Sequence, residues 1–233
     1  IAALLRDYAQ LQSARKPELT NRRITLDPAK DLASDPAAVR YDDRASPFSL
    51  TNYDELGRVV QRWTALARRC EQLRDRLPAQ LQDAYFELVH YQVAASANLY
   101  QLRQAQFTNL LYASQGRVAT NAMADAAEQF MDRNQAFDDR YDNEVAGGKW
   151  KGWATQPKIG YGDVERYGPQ APWQQPEKDD VALPDAIYPH LRRIEVPDGA
   201  SLGVAVSGSE QWWPGAPADA AAHPPVLPSF SPY

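Results

Sequence analysis

The N-terminal part of the chain repeats hydrophobic residues every three or four positions, which is the spacing of an amphipathic helix. The first such run ends before Pro17, because proline cannot continue a helix. A second run opens at Thr51, where Thr51 and Asp54 fit a capping box, and continues to Leu77. Pro78 then marks a break and a new first turn.

The stretch from about 78 to 114 carries two apolar stripes, which predicts a central helix that is covered on two sides. Gly116 is its expected stop, and a last helix over about 118 to 146 is expected to end at Gly147-Gly148. Helices joined by short turns predict an antiparallel bundle of four to five helices. The first of the two stripes comprises Leu81, Tyr85, Leu88, Ala95, Leu99 and Leu102.

The pattern changes at Gly147. From there onward lie 10 of the 12 glycines, 13 of the 18 prolines and five of the six tryptophans. Such a composition predicts extended chain with turns. The strand expected at 203–207, with Trp212-Trp213 after it, is typical of the first strands of a β-sandwich.

The fold class predicted from these patterns is all-α, followed by an extended segment and the start of a truncated β-sandwich. The expected divisions are a helix leading into the bundle (1–16), a connector (17–50), the bundle core (51–148), an aromatic strap (149–193) and the start of the sandwich (194–233). The connector shows no sustained period, so no element is predicted in it.

Composition narrows the classes of partner. The net charge of -5 provides no basic field for nucleic acid or anionic lipid, so neither nucleic acid nor a membrane is expected as a partner. The one cysteine, Cys70, lies on an apolar stripe and is expected to be buried. The chain begins without Met and in the middle of a helical pattern, and we expect the true N-terminus to be missing.

Few residues form a pattern that carries chemistry. Glu87 and His90 have the Glu-x-x-His spacing of di-iron bundles, but no second copy exists, so no metal or cofactor is expected. Asp138 and Asp142 would share a helix face, as paired carboxylates do in glycosidases. Because they alternate with Arg140, a solvated or interface face is the favoured interpretation. No catalytic residue is assigned.

The aromatic strap is the most distinctive segment. Flat rings beside cations suit a sugar acid, whereas large rings also serve to pack an irregular segment onto a bundle, and the sequence leaves both interpretations open. The residues concerned are Trp150, Trp153, Tyr161, Tyr167 and Trp173, with the cations Lys149, Lys158 and Arg166.

Several of these segments together resemble glycoside hydrolase family 115, the xylan α-1,2-glucuronidases, in the region after the catalytic barrel. The strap contributes Gly147-Gly148-Lys149-Trp150, Ile159-Gly160-Tyr161 and Trp173-Gln174-Gln175-Pro176. Further colinear matches are Arg15-Lys16-Pro17-Glu18-Leu19, Ser49-Leu50-Thr51-Asn52-Tyr53, Asn98-Leu99-Tyr100, Gln115-Gly116-Arg117 with Asn121, Gly203-Val204-Ala205-Val206 and Trp212-Trp213-Pro214. The chain departs from the family at Lys158, where the family has histidine.

The resemblance implies a multidomain enzyme that removes glucuronic or methylglucuronic acid from xylan with inversion. Its catalytic carboxylates would lie on a barrel that precedes this chain, and the helix at 1–16 would be the trailing helix of that barrel. The implied partners are the barrel and the β-sandwich of the same protein, the xylan substrate and a second copy in a homodimer. The family also implies a secreted or periplasmic protein.

The function expected for this chain is therefore that of a non-catalytic scaffold or accessory domain. The alternative is a polysaccharide-binding or protein-interaction module without catalysis. The residues predicted to lie near substrate or at an interface are Arg117, Asn121, Lys149, Trp150, Trp153, Tyr161 and Trp173.

Overall fold

A computed structural model of the 233-residue chain describes residues 1–15, 20, 23–26, 29–30, 39–42, 46–154, 191–196, 204–205 and 212–213. Its helices are α1 (Ala2–Ala14), α2 (Glu55–Arg74), α3 (Ala79–Tyr85), α4 (Tyr91–Ser114) and α5 (Thr120–Asn143). A π-helical turn (Phe86–His90) joins α3 to α4, so that the two form one rod. The predicted all-α bundle is confirmed for these residues, whereas most of the strap and sandwich lies outside them.

The helices α4 and α5 run antiparallel. At one end Tyr91 donates a hydrogen bond to Asp138, and at the other Asn109 donates to the carbonyl of Thr120. The loop between the two helices is short, as antiparallel neighbours in a bundle require. This pair makes the most extensive helix–helix contact in the described part of the chain.

The main core lies between α1, α2 and α4. Trp63 on α2 is fully buried and stacks on Tyr100 of α4, with ring centroids 5.3 Å apart. Tyr8 on α1 meets the same indole edge-on at 5.8 Å. The apolar stripe that the sequence predicts for the second helical run is buried at Leu56, Trp63, Leu66 and Cys70 and half-buried at Val59, Leu73 and Leu77.

The start of α2 differs from the prediction. The helix begins at Glu55 rather than at Thr51, because Tyr53 and Asp54 both have left-handed backbones, with φ of 56° and 49°. Among the described residues no side chain caps the helix; instead the Leu56 N–H of its first turn donates to the Ser49 carbonyl in the preceding loop at 3.0 Å, and the Ser49 N–H donates to the Glu55 carboxylate at 2.7 Å. The predicted Thr51–Asp54 capping box is therefore wrong.

The π-helical turn changes which residues of the central rod face the core. Leu81 and Leu88, both assigned to the first predicted stripe, are 51% and 68% exposed. A π-helical turn holds one residue more than an α-helical turn, so it rotates the helix faces on its two sides relative to each other. A stripe drawn with one uniform period through Phe86–His90 therefore places Leu88 wrongly, whereas Leu81 precedes that turn and is exposed in the first turn of α3.

The last helix ends earlier than predicted. α5 stops at Asn143 and is followed by a 3-10 turn (Val145–Gly147), whereas the sequence predicts helix to about 146. Ala146 interrupts the helix with a φ of 52°, and Gly147 and Gly148 continue in the left-handed region. The predicted left-handed glycines are thus present, but the backbone leaves the helix before them.

Two short antiparallel strand pairs complete the described residues. β1 (Arg23–Leu26) pairs with β2 (Val39–Asp42) inside the connector, where the sequence predicts no element. β3 (Val204–Ala205) pairs with β4 (Trp212–Trp213), and β3 lies within the strand predicted at 203–207. No described helix has the length and apolar character needed to cross a bilayer.

Candidate functional site

The first six residues of the aromatic strap fold back onto one end of the bundle. The left-handed turn at 146–148 reverses the chain after α5, and residues 149–154 follow it. Trp150 and Ala154 pack against a buried aromatic cluster at that end of the bundle. The buried members of the cluster are Phe86, Tyr91, Tyr141 and Val145.

Three predicted site residues meet within residues 149–154, which we call the aromatic turn. The rings of Trp150 and Trp153 lie 6.0 Å apart, and the Lys149 ammonium lies 4.6 Å from the Trp150 ring centroid. Trp153 is 72% exposed, whereas Trp150 is half-buried. The exposed Trp153 ring has the chemistry to stack on a sugar, and the Lys149 ammonium, which lies over the Trp150 ring, has the charge to attract a carboxylate.

The carboxylates beneath this turn act as hydrogen-bond acceptors within the fold. Asp142 accepts from the backbone N–H of Ala154 at 2.9 Å, and Asp138 accepts from the Tyr91 hydroxyl at 2.8 Å. Burial, together with the negative charge of Asp138, raises the pKa of Tyr91. Both carboxylates are only 8% exposed, so of the two predicted alternatives the solvated face is wrong for them, and the interface alternative stays a prediction. Within the described residues they hold neighbouring segments.

Arg117 lies at the opposite end of α5. Its N–H donates to the Tyr112 carbonyl at 2.9 Å and that of Gly116 donates to Ala113 at 3.2 Å, which forms a Schellman motif at the end of α4. The Arg117 guanidinium lies 4.7 Å from the Tyr112 ring centroid. Since α5 has 24 residues, this end is about 36 Å from the aromatic turn. The structure therefore does not bring Arg117 to Trp150.

Asn121, also at this end of α5, binds backbone. Its side-chain amide donates to the Ile194 carbonyl at 2.9 Å and accepts from the Ile194 N–H at 2.9 Å. Asn109 on α4 makes the same pair of bonds to Arg192, each at 2.8 Å. We call residues 191–196 the docked segment, and Asn109 and Asn121 the asparagine pair.

Sequence reasoning found Asn121 and singled out Asp142, but it missed Asn109 and Arg193 as functional contacts. A signal for Asn109 exists, because a polar residue within a doubly apolar helix needs a buried hydrogen-bond partner. No local pattern indicates Arg193, because its partners on α5 are more than 60 positions away. The predicted site residues Tyr161 and Trp173 lie outside the described residues.

His90 is buried at the end of the π-helical turn. Its ring lies between Tyr85 and Phe86, with centroid distances of 6.2 and 5.6 Å, and its Nδ1 makes no hydrogen bond among the described residues. Burial, with smaller contributions from Arg74 and Arg140, lowers the pKa of His90 to about 4. The described residues hold no cluster of three or more candidate metal ligands around it or elsewhere.

The lowered pKa of His90 predicts that the protein loses stability in acid. Between pH 6.5 and about 4 the unfolded chain binds a proton at this imidazole that the folded chain does not, so the free energy of unfolding falls as the pH falls. The pKa difference corresponds to a change of roughly 3 kcal/mol in the free energy of unfolding, and this pH dependence is absent from His90→Gln. Urea unfolding of both chains between pH 7 and 4 measures it. Parallel pH curves for the two chains would refute this role of His90.

Comparison with known proteins adds no relative: no protein-family model matches the chain, and no curated protein matches it.

Proposed function

We propose that the chain is a non-catalytic scaffold of a glycoside hydrolase that resembles the family 115 α-glucuronidases. The observation that carries the proposal is the use of buried and half-buried polar side chains. Asp142, Asn109 and Asn121 each bind the backbone of a segment that lies outside the helices. Polar groups that a catalytic bundle would direct at a substrate are here directed at the chain itself.

The proposed scaffold leaves the chemistry to another part of the protein. The resemblance implies catalytic carboxylates on a barrel, with release of glucuronic or methylglucuronic acid from xylan. The aromatic turn presents Lys149 and Trp153 at one end of the bundle, where they would meet a carboxylate-bearing sugar if that end faces the barrel. In that arrangement Lys149 contributes charge-assisted hydrogen bonds to the substrate carboxylate.

Hydrolysis of glucuronoxylan tests the scaffold role. The 233-residue chain and the longer product of the same gene are each incubated with the polymer, and released methylglucuronic acid is quantified by chromatography. We expect release by the longer product and none by the 233-residue chain. Release by the chain alone, or a longer product that neither contains a barrel nor releases the acid, would contradict the proposal.

A second candidate function is polysaccharide binding by the bundle itself, and the exposure of Trp153 favours it. Its indole is 72% exposed and stands beside a half-buried tryptophan, so one aromatic face is available to a sugar ring without any rearrangement of the core. Tryptophan provides a large contact area with few rotatable bonds, which suits a stacking surface.

Under this second function, Trp153→Ala is expected to weaken binding of xylo-oligosaccharides that carry glucuronic acid by about tenfold, the equivalent of one stacking contact. Isothermal titration of the 233-residue chain measures the affinity. Tyr53→Ala is the matched control, because Tyr53 is 75% exposed but lies in the loop before α2. Equal affinities for the wild type and Trp153→Ala would remove Trp153 from any sugar site.

A further inference from the structure

The contacts of the docked segment have the geometry of strand pairing. The N–H and C=O of Arg192 both bond to Asn109, and those of Ile194 both bond to Asn121. In an extended strand every second residue presents both backbone groups to the same side, so the asparagine pair substitutes for a neighbouring strand. Backbone groups are common to all peptides, so these four bonds specify an extended conformation and not a sequence.

Side-chain contacts add a sequence preference. Leu191 packs against the buried cluster between α4 and α5. Two positions later Arg193 donates to Asp125 at 2.7 Å and to both oxygens of Glu128 at 2.9 Å. These ion pairs are about half exposed, so they contribute little affinity, but like charge at position 193 would be repelled. We call Asp125 and Glu128 the acidic pair.

We propose that the asparagine pair and the acidic pair form a peptide-binding site on α4 and α5, which the docked segment occupies in cis. The site takes an extended peptide with a hydrophobic residue followed two positions later by arginine or lysine. None of its contacts depends on the covalent link between the docked segment and the bundle. The peptide-binding site does not depend on the proposed glycosidase function.

A tethered ligand competes at an effective concentration on the order of millimolar, so a free peptide binds measurably only where the docked segment has been weakened. Arg193→Glu with Leu191→Asp weakens it by charge repulsion and by loss of apolar burial. Both changes lie outside the helices, and thermal unfolding followed by circular dichroism verifies that the bundle is retained. If the double variant does not fold, Arg193→Glu alone serves.

The test uses the whole 233-residue chain and a fluorescent peptide with the wild-type sequence of residues 190–197, followed by anisotropy. We expect the weakened chain to bind at least about tenfold more tightly than the wild type, because its site is vacated. Adding Asn121→Ala to the weakened chain, or Arg193→Glu to the peptide, is expected to reduce the affinity by about tenfold each. No binding up to millimolar peptide, or binding that both changes leave unaltered, would overturn the proposal.

Discussion

Replacing Trp63 by alanine is expected to lower the free energy of unfolding by about 3–5 kcal/mol, the cost of removing a large aromatic side chain from a packed core. Trp63 is fully buried at the point where α1, α2 and α4 meet. Its ring contacts Tyr100 face to face at 5.3 Å and Tyr8 edge-on at 5.8 Å. The substitution therefore removes apolar burial and two aromatic contacts at once, and neighbouring helices cannot close the cavity without moving.

Urea unfolding measures this effect. Trp153→Ala is the matched control, since it deletes the same atoms from a side chain that is 72% exposed, and we expect it to change the free energy of unfolding by less than about 0.5 kcal/mol. A small effect of Trp63→Ala, or equal effects of the two substitutions, would mean that the core is not centred on Trp63.

Asn109→Ala is expected to cost roughly 2–4 kcal/mol, although it removes only a few atoms. The Asn109 amide is fully buried and donates to the carbonyls of Thr120 and Arg192, while its oxygen accepts from the Arg192 N–H, each bond at 2.8 Å. Alanine provides none of these bonds, and the fully buried Thr120 loses the side-chain donor to its carbonyl. The Thr120 bond also links α4 to the first turn of α5.

Thermal and urea unfolding of Asn109→Ala and of Asn121→Ala are compared. The comparison separates the contribution of the buried Asn109–Thr120 bond from the contribution of binding the docked segment. Asn121 is half-buried, and among the described residues its side chain binds Ile194 alone, so its replacement is expected to cost less, about 1 kcal/mol. If Asn121→Ala proved the more destabilising of the two, the Thr120–Asn109–Arg192 contact would not be the stronger link.

The helices of the bundle were predictable because their apolar stripes are long. In α2 the apolar spacing through Trp63 and Cys70 survives in the structure, since a buried helix face must be apolar wherever it meets a partner. The capping box at Thr51 was not reliable, because a local match cannot show that Tyr53 and Asp54 adopt left-handed backbones. Helix boundaries are set by such local competition and are harder to predict than helices.

The π-helical turn explains the largest error within the rods. It inserts a residue between α3 and α4 without any proline or glycine to announce it, and so Leu88 is exposed while Tyr85 and Phe86 are buried. The wrong assignment of Asp138 on α5 to a solvated face has another origin. Asp138 lies on the buried face because Tyr91 of α4 donates to it, a partner 47 positions away that no periodicity of α5 reveals.

The candidate site was predictable only in part. Composition indicated the aromatic turn, and the structure brings together Lys149, Trp150 and Trp153. It separates them from Arg117 by the length of α5, a separation that the predicted helix over about 118 to 146 already implies. The docked segment was not predicted as a contact, since its recognition by Asn109 is through backbone atoms, which leave no trace in the sequence.

Native-state hydrogen exchange at the amides of Arg192 and Ile194 tests most directly the central claim that polar side chains of the bundle anchor segments that lie outside its helices. We predict that both amides are protected in the wild-type chain, because each donates to an asparagine oxygen at 2.8 or 2.9 Å. Asn109→Ala is predicted to release the Arg192 amide, and Asn121→Ala that of Ile194. Exchange of both amides in the wild type at the rate of an unstructured peptide would contradict the account.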